Sequence, residues 1–133
     1  MHRTLMRGAA AGLALAATAA VAAPAPASAA SYGGRCGSGY GVVNQAAVPG
    51  GTVFLTYNDA NGQNCVVTVR DRTGSAISMD AALKTSDGTS WQTDAGQWQT
   101  YAGPVYVSAA GQCVDWGGAI QNEWVVRTGT NCS

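Results

Sequence analysis

Apolar and polar residues alternate with a period of two along most of this chain, and groups of Gly, Asn and Asp interrupt the alternation. Residues 51–58 and 64–70 have this pattern on either side of the turn-forming residues 59–62, which is typical of a β-hairpin. Residues 77–84 continue it, with an apolar face that consists of Ile77, Met79, Ala81 and Leu83. Further strands are expected over residues 97–101, 104–108, 112–116 and 123–128.

These strands recur about every ten residues, and no amphipathic helical segment of useful length separates them. We therefore predict an all-β fold, a single small antiparallel β-sandwich or barrel. Adjacent valines, as in Val42-Val43, Val66-Val67 and Val125-Val126, indicate that some strands are covered on both faces.

In the segment CVDWGGAIQNEW (113–124), an acid twice precedes a tryptophan, as Asp115-Trp116 and Glu123-Trp124. A glycosidase requires two carboxylates about 5 to 10 Å apart in a cleft, and Asp115 with Glu123 is the best candidate pair, with Asp94 in reserve. Neighbours on a strand point to opposite faces, so acid and tryptophan do not line one site without a bulge. We expect a structural hairpin and assign no catalytic residue.

Two registers are possible for this hairpin. If Gly117-Gly118 forms a two-residue turn, Trp116 faces Ala119. If residues 117–123 form a loop, Trp116 faces Trp124, which pairs aromatic with aromatic. We favour the loop register, which buries both tryptophans and leaves the acid before Trp116 on the opposite face.

The N-terminus has the organisation of a secretory signal peptide. Two arginines precede an apolar run over residues 8–23, and small residues then favour cleavage near Ala29 or Ala30. The run is too short and too alanine-rich for a membrane anchor. We predict removal of residues 1–30 and a single secreted β domain over residues 31–133, located outside the cell.

Charge and histidine content exclude several function classes. Beyond the leader the chain keeps five basic residues against seven acids, so it lacks the positive patch by which proteins bind nucleic acid or anionic lipid. The sole histidine, His2, lies in the leader, whereas nucleophilic triads and most zinc sites use imidazole. We therefore expect no enzymatic activity, no metal and no cofactor.

Four cysteines lie beyond the leader: Cys36, Cys65, Cys113 and Cys132. An even number in a small secreted domain favours two disulfides over a metal site. Three pairings are possible, and the sequence alone does not decide among them. We favour Cys36 with Cys65 and Cys113 with Cys132, because sequential pairing keeps each bridge within neighbouring strands.

Three aromatic residues form a candidate glycan site: Trp91, Trp98 and Tyr101. They stand in a segment rich in Gln and Thr, and aromatic faces beside hydrogen-bonding side chains are suited to sugars. Packing of Trp98 and Tyr101 in the core or on an edge strand is the simpler interpretation.

Several blocks of the sequence resemble the spore-associated protein A family of filamentous actinomycetes. They are CGSGYGVVN, GTVFLTYN, NCVVTVR, YAGPVYVS and CVDWGG, in that order after an Ala-rich leader. The resemblance implies a small secreted protein found with spores, on the spore surface, or with aerial hyphae, and it supplies no catalytic residues to carry over. Spore wall or coat components are the candidate partners, and the sequence does not decide between a wall polymer, another coat protein and no partner.

We therefore expect a non-enzymatic, structural or surface protein of the spore envelope. One alternative is a carbohydrate-binding module, which would expose Trp91, Trp98 and Tyr101 as one platform. A second is a protease inhibitor, which would present a disulfide-braced loop, or a small-ligand carrier, which would contain a deep apolar cleft.

Overall fold

The computed structural model describes residues 29–133, in which antiparallel strands form two packed sheets. Residues 1–28, which contain most of the predicted signal peptide, lie outside the described residues. The strands are β1 (Gly41–Val48), β2 (Gly51–Asn58), β3 (Gln63–Arg70), β4 (Ile77–Thr85), β5 (Gln92–Thr93), β6 (Gly96–Trp98), β7 (Tyr101–Ser108), β8 (Val114–Ile120) and β9 (Glu123–Thr130).

The first sheet has the strand order β1-β2-β3-β7, and the second has the order β5-β4-β8-β9, with β6 paired to the same edge of β4 as β5. The predicted all-β fold is confirmed, and it is a sandwich. The short strand β5 and the first residue of β6 lie outside the predicted strands. No helix in residues 29–133 is long and apolar enough to cross a membrane.

The predicted hairpin of β2 and β3 is confirmed. Leu55 pairs with Val66 in an unbroken register, and the connecting turn is closed by a hydrogen bond from the Gly62 amide to the Asn58 carbonyl (2.8 Å). The Asn58 side chain accepts a second hydrogen bond from the Ala60 amide (2.9 Å). Asn commonly stabilises turns by such a bond to the backbone two residues later.

The main core lies between the two sheets, and the alternation predicted for β4 supplies part of it. Met79, Ala81 and Leu83 are buried on the inner face, as expected from the period of two. Opposite them lie apolar side chains of the first sheet, and the largest buried side chain in this core is Trp116 of β8.

A second apolar cluster lies on the outer face of the first sheet, where residues 29–40 cover the strands. Phe54 and Val67 are buried there, and Tyr32 packs against Phe54 with the ring centres 6.1 Å apart. The Cys36–Cys65 disulfide joins the covering segment to β3. The first sheet is therefore protected on both faces.

Both expected disulfides are present. Cys36 is bonded to Cys65, and Cys113, just before β8, is bonded to Cys132, just after β9. The second bridge therefore fastens the open end of the β8–β9 hairpin. Together the bridges attach both ends of the described chain to the sandwich.

The expected register of the β8–β9 hairpin is wrong, and so is its alternative. The two-residue turn is Gln121-Asn122, with φ of 51° and 68°, so Ala119 faces Trp124 and Gly117 faces Val126. Positive φ at both central residues is typical of the type I′ turn, which suits the twist of a hairpin. Trp116 is fully buried, but Trp124 is exposed, contrary to the expectation that both are buried.

The Gly-Gly pair within β8 has a packing role instead of a turn role. Between the sheets, the Thr68 hydroxyl donates a hydrogen bond to the Asp80 carbonyl (2.8 Å), directly beside Gly118. A Cβ atom at Gly118 would overlap the Thr68 oxygen and lie 2.9 Å from a methyl group of Val53. Glycine is therefore required here because the two sheets approach closely.

The adjacent valines differ in their surroundings. Val66 and Val67 are both buried, one in each apolar cluster, as expected for a strand covered on two faces. Val42 and Val43 are 41% and 46% exposed, so the same expectation is wrong for β1. An edge strand has a neighbouring strand on one side only, and the sequence does not identify which strands form edges.

The first prediction concerns the close approach at Gly118. We expect Gly118→Ala to lower the free energy of unfolding by about 2 kcal/mol or more, because the added methyl group must displace β3 or β4. The measurement is urea unfolding followed by tryptophan fluorescence. Gly41→Ala is the matched control, since a Cβ there meets nothing within 4 Å, and its change should stay within about 0.5 kcal/mol. Equal effects of the two substitutions would contradict the assignment.

The second prediction concerns the disulfides. They span 29 and 19 residues, and loop-closure entropy alone assigns each about 3 to 4 kcal/mol. We expect the double variant Cys36→Ala/Cys65→Ala to lose more stability than Cys113→Ala/Cys132→Ala, because it also releases the segment covering the second cluster. Denaturant unfolding of both variants measures the difference, and a smaller loss in the first variant would contradict this role.

Candidate functional site

The outer face of the second sheet has no covering segment within residues 29–133 that corresponds to the one on the first sheet. Directly paired residues of antiparallel strands share a face, so the registers place its side chains in three rows. The rows are Asp80, Ala119 and Trp124; Thr93, Ala82, Gly117 and Val126; and Lys84 with Asp115. Adjacent rows are two residues apart, or about 7 Å.

Two tryptophans stand on opposite sides of this face and bound a groove of about 310 Å³. Trp91, just before β5, is 40% exposed, and Trp124 of β9 is 50% exposed. The lining of this feature, the Trp91–Trp124 groove, is almost entirely apolar and is formed by Ala82, Trp91, Thr93, Gly117, Trp124 and Val126.

The floor of the Trp91–Trp124 groove is formed by small residues of β4 and β8, whose side chains do not fill the space between the two tryptophans. Ala82 is almost fully buried, and Gly117 lies so close to β9 that a Cβ atom would overlap the Val125 carbonyl. A larger residue at Gly117 would therefore have to displace β9. The groove follows from the same Gly-Gly pair that permits the two sheets to pack.

An ion pair closes one end of this face. Lys84 Nζ lies 3.0 Å from Asp115 Oδ2, and both side chains are largely buried. Asp115 Oδ1 also accepts hydrogen bonds from the Ser86 hydroxyl (2.6 Å) and from the Gly129 amide (2.8 Å). Gly129 lies at a β-bulge in β9 with a φ of 62°, a conformation that glycine adopts readily.

The ion pair also supports Trp91. Lys84 Nζ donates hydrogen bonds to the carbonyls of Thr85, Ser86 and Gly88, within the turn that leads to Trp91. It lies 5.5 Å from the centre of the indole ring, within the range of a cation–π interaction. Trp91 is therefore supported by a network that extends to β8.

The two acids of this face have opposite pKa shifts. Burial would raise the pKa of Asp115, but the hydrogen bonds from Ser86, Gly129 and Lys84 and the lysine charge outweigh burial and lower it below 3.8. For Asp80, burial is the largest cause, and with the nearby charge of Asp94 it raises the pKa above 3.8, although backbone amides donate to the carboxylate.

The structure places the three predicted glycan-binding residues in different surroundings. Trp91 borders the Trp91–Trp124 groove. Trp98 packs against the main core, and its indole N–H donates to the Asp94 carbonyl (3.1 Å). Tyr101 lies on the outer face of the first sheet, with the Arg35 guanidinium 4.3 Å from its ring centre.

Trp98 and Tyr101 both border a separate depression of about 240 Å³, so the three residues do not form one platform. Trp124 is the residue that sequence reasoning missed, because the expected hairpin register buried it. The turn residues Gln121-Asn122 lack the Asn-Gly order that marks most type I′ turns, so the local signal for the correct register is weak.

The candidate acids are separated by the fold. Glu123 pairs with Ile120, five residues along β8 from Asp115, which corresponds to about 16 Å. Asp94 instead accepts a hydrogen bond from the Gly103 amide of β7 (2.8 Å). Neither arrangement resembles the paired carboxylates of a glycosidase cleft. Within residues 29–133, no group of three His, Cys, Asp or Glu residues is placed to hold a metal.

The third prediction compares the two shifted acids. A lowered pKa in the folded state stabilises the fold above the unfolded pKa, and this stabilisation is lost as the pH falls through the folded value. We expect Asp115→Asn to cost about 1 to 3 kcal/mol at pH 7, since it removes charged hydrogen bonds, and the difference from wild type to shrink below pH 3.8.

The matched control is Asp80→Asn. A raised folded pKa means that the charged form is disfavoured, so this substitution should cost little or stabilise slightly at neutral pH. Urea unfolding between pH 2.5 and 7 measures both variants. A similar loss in both at pH 7, or a cost of Asp115→Asn that does not change with pH, would contradict the assigned roles.

This chain is similar in sequence to a known protein over most of its length. It is 51% identical over 104 residues to Spore-associated protein A of Streptomyces coelicolor, and the matched region covers 77% of this chain and 68% of that protein. Neither a protein-family model nor a solved structure matches the chain. The resemblance inferred from the sequence blocks is thereby confirmed, and the chain belongs to the spore-associated protein A family.

Proposed function

We propose that this protein is exported and retained on the spore surface, where it has a non-enzymatic, structural or surface role. The observation that carries the proposal is the 51% identity to a protein named for its association with spores. An identity of this level over 77% of the chain favours a shared location for the two proteins.

The disulfides support an extracellular location. Cys36–Cys65 and Cys113–Cys132 use all four cysteines of the chain, and such bridges persist in oxidising compartments outside the cytosol. Both bridges attach the ends of the sandwich, which protects the fold against local opening from the termini. Such protection suits a protein that remains exposed on a cell surface.

The arrangement of the titratable residues favours a non-enzymatic role. His2, the sole histidine, precedes the described residues and lies in the predicted leader. The buried carboxylate of Asp115 forms an ion pair with Lys84. The Asp94 carboxylate accepts a hydrogen bond from the Gly103 amide of the opposite sheet. These groups have structural partners in the fold, which leaves the non-enzymatic role as the best supported.

The inhibitor alternative has less support from the geometry. Cys36–Cys65 fastens a covering segment to the outer face of a sheet, and Cys113–Cys132 fastens the open end of a hairpin. Neither bridge braces a projecting loop of the kind that an inhibitor would insert into a protease. The carrier alternative requires a deep cleft, whereas the Trp91–Trp124 groove lies on the open face of a sheet.

The fourth prediction tests location. Quantitative mass spectrometry of washed spores, vegetative cells and culture medium should show the processed protein enriched in the spore fraction. A salt wash and a reductant wash, applied separately, distinguish ionic adsorption from retention that depends on the disulfides. An exported protein of similar size from another family is the control for trapping. Recovery almost entirely in the medium, without retention on spores, would overturn the proposal.

A further inference from the structure

We infer that the Trp91–Trp124 groove is a binding site for a neutral glycan chain of pyranose sugars. This inference deepens the proposed function by naming the chemistry that would retain the protein on a spore wall. It rests on the proposed function for its biological setting. It uses Trp124 and Val126 of β9 in addition to Trp91, and it does not use Trp98 or Tyr101.

The walls of the groove offer aromatic surface on which a pyranose ring can stack. Such a ring has C–H groups on its faces and hydroxyl groups around its edge, so it stacks on an aromatic surface while its edge remains hydrogen-bonded. Trp91 and Trp124 provide two indole surfaces that are 40% and 50% exposed, in a chain whose Trp116 is fully buried. Exposed aromatic residues around one groove indicate a recognition site more strongly than scattered ones.

Hydrogen-bonding groups lie at the margins of the groove, where the hydroxyl groups of a bound sugar would emerge. Thr93 lines the groove directly. Asp80 lies in the same row as Ala119 and Trp124, and its carboxylate would accept hydrogen bonds from sugar hydroxyls. The apolar floor and polar margins therefore suit an amphipathic ring better than a purely apolar ligand.

The charges of the face favour a neutral ligand. Lys84, the cation in contact with Trp91, is already paired with Asp115 and hydrogen-bonded to three backbone carbonyl groups. The acid in the row of Trp124, Asp80, would repel an anionic polymer. A phosphate-rich or uronic-acid wall polymer would meet no cation among the residues that line the groove, whereas an uncharged sugar needs none.

The groove is preorganised, which reduces the entropy cost of binding. Trp91 is supported by the Lys84 network, and Trp124 is fixed by the short turn of the β8–β9 hairpin. The floor consists of paired strands and not of loops. Binding sites built on rigid strands hold their contact groups more accurately than sites built on loops.

The fifth prediction tests the site with purified full-length mature protein. We expect it to co-sediment with an insoluble neutral polysaccharide, using cellulose for unsubstituted glucose units and chitin for N-acetylated units. Soluble cello- and chito-hexaose should change the tryptophan fluorescence and give dissociation constants by titration. Binding to the cello-series would indicate an environmental β-glucan as the ligand, whereas binding to the chito-series would indicate an amino-sugar polymer such as those of cell walls.

Variants connect this binding to the groove. Trp91→Ala and Trp124→Ala should each weaken binding at least tenfold, and Trp124→Tyr should recover part of it, because a smaller aromatic face remains. Val43→Ala, which truncates an exposed residue of β1 on the other sheet, is the matched control and should leave the affinity unchanged. Circular dichroism and thermal unfolding verify that each variant remains folded.

Several outcomes would overturn the inference. They are an absence of binding to both sugar series, binding that persists in both tryptophan variants, and binding only to anionic polymers that disappears in 0.5 M salt. Self-association that Trp124→Ala abolishes would also overturn it, because the groove would then be covered by a second copy. Failure of sugar binding with spore retention intact would leave the proposed function standing, whereas sugar binding without spore retention would contradict only the location.

Discussion

The close approach of the two sheets at Gly118 is the constraint on which the rest of the structure depends. Because glycine has no side chain there, the Thr68 hydroxyl reaches the Asp80 carbonyl across the core and joins β3 to β4. The preceding residue, Gly117, faces the opposite side and allows β9 to lie close against β8. One Gly-Gly pair therefore sets the separation of the sheets on one face and the floor of the groove on the other.

The outer face of the first sheet is covered by a chain segment, whereas that of the second sheet is open within the described residues. This difference is the basis for assigning a site. Residues 29–40 cover the first sheet, and the buried Cys36–Cys65 bridge makes that cover permanent under oxidising conditions. On the second sheet, Trp91 and Trp124 remain exposed within the described part of the chain. Exposed aromatic residues that border one groove mark an interaction site more often than scattered ones, so the open face is where a ligand is expected.

The sequence predicted the fold and both disulfides, but it placed the candidate site only in part. Local alternation was sufficient for β2, β3 and β4, where a turn rich in Asn and Gly also fixed the register. It failed at the β8–β9 hairpin, because the favoured register was chosen to pair Trp116 with Trp124 and therefore ended β8 before Gly117-Gly118. These glycines continue the strand, and Gly118 is required by the short distance to the other sheet. That distance is a tertiary property, so no local pattern reports it, and the exposure of Trp124 could not be derived without it.

The same reasoning explains why the acids next to the tryptophans do not form a catalytic pair. Asp115 is largely buried, and a carboxylate in that position requires a cation and several donors, which Lys84, Ser86 and the Gly129 amide provide. Those partners lower its pKa and occupy its oxygens, which makes it a poor proton donor or nucleophile. Their effect is instead to position Trp91, through the contact of Lys84 with the indole ring. The Lys84–Asp115 ion pair of this face thus supports the indole ring of Trp91. The interactions that the face can make with a ligand are aromatic stacking and hydrogen bonding.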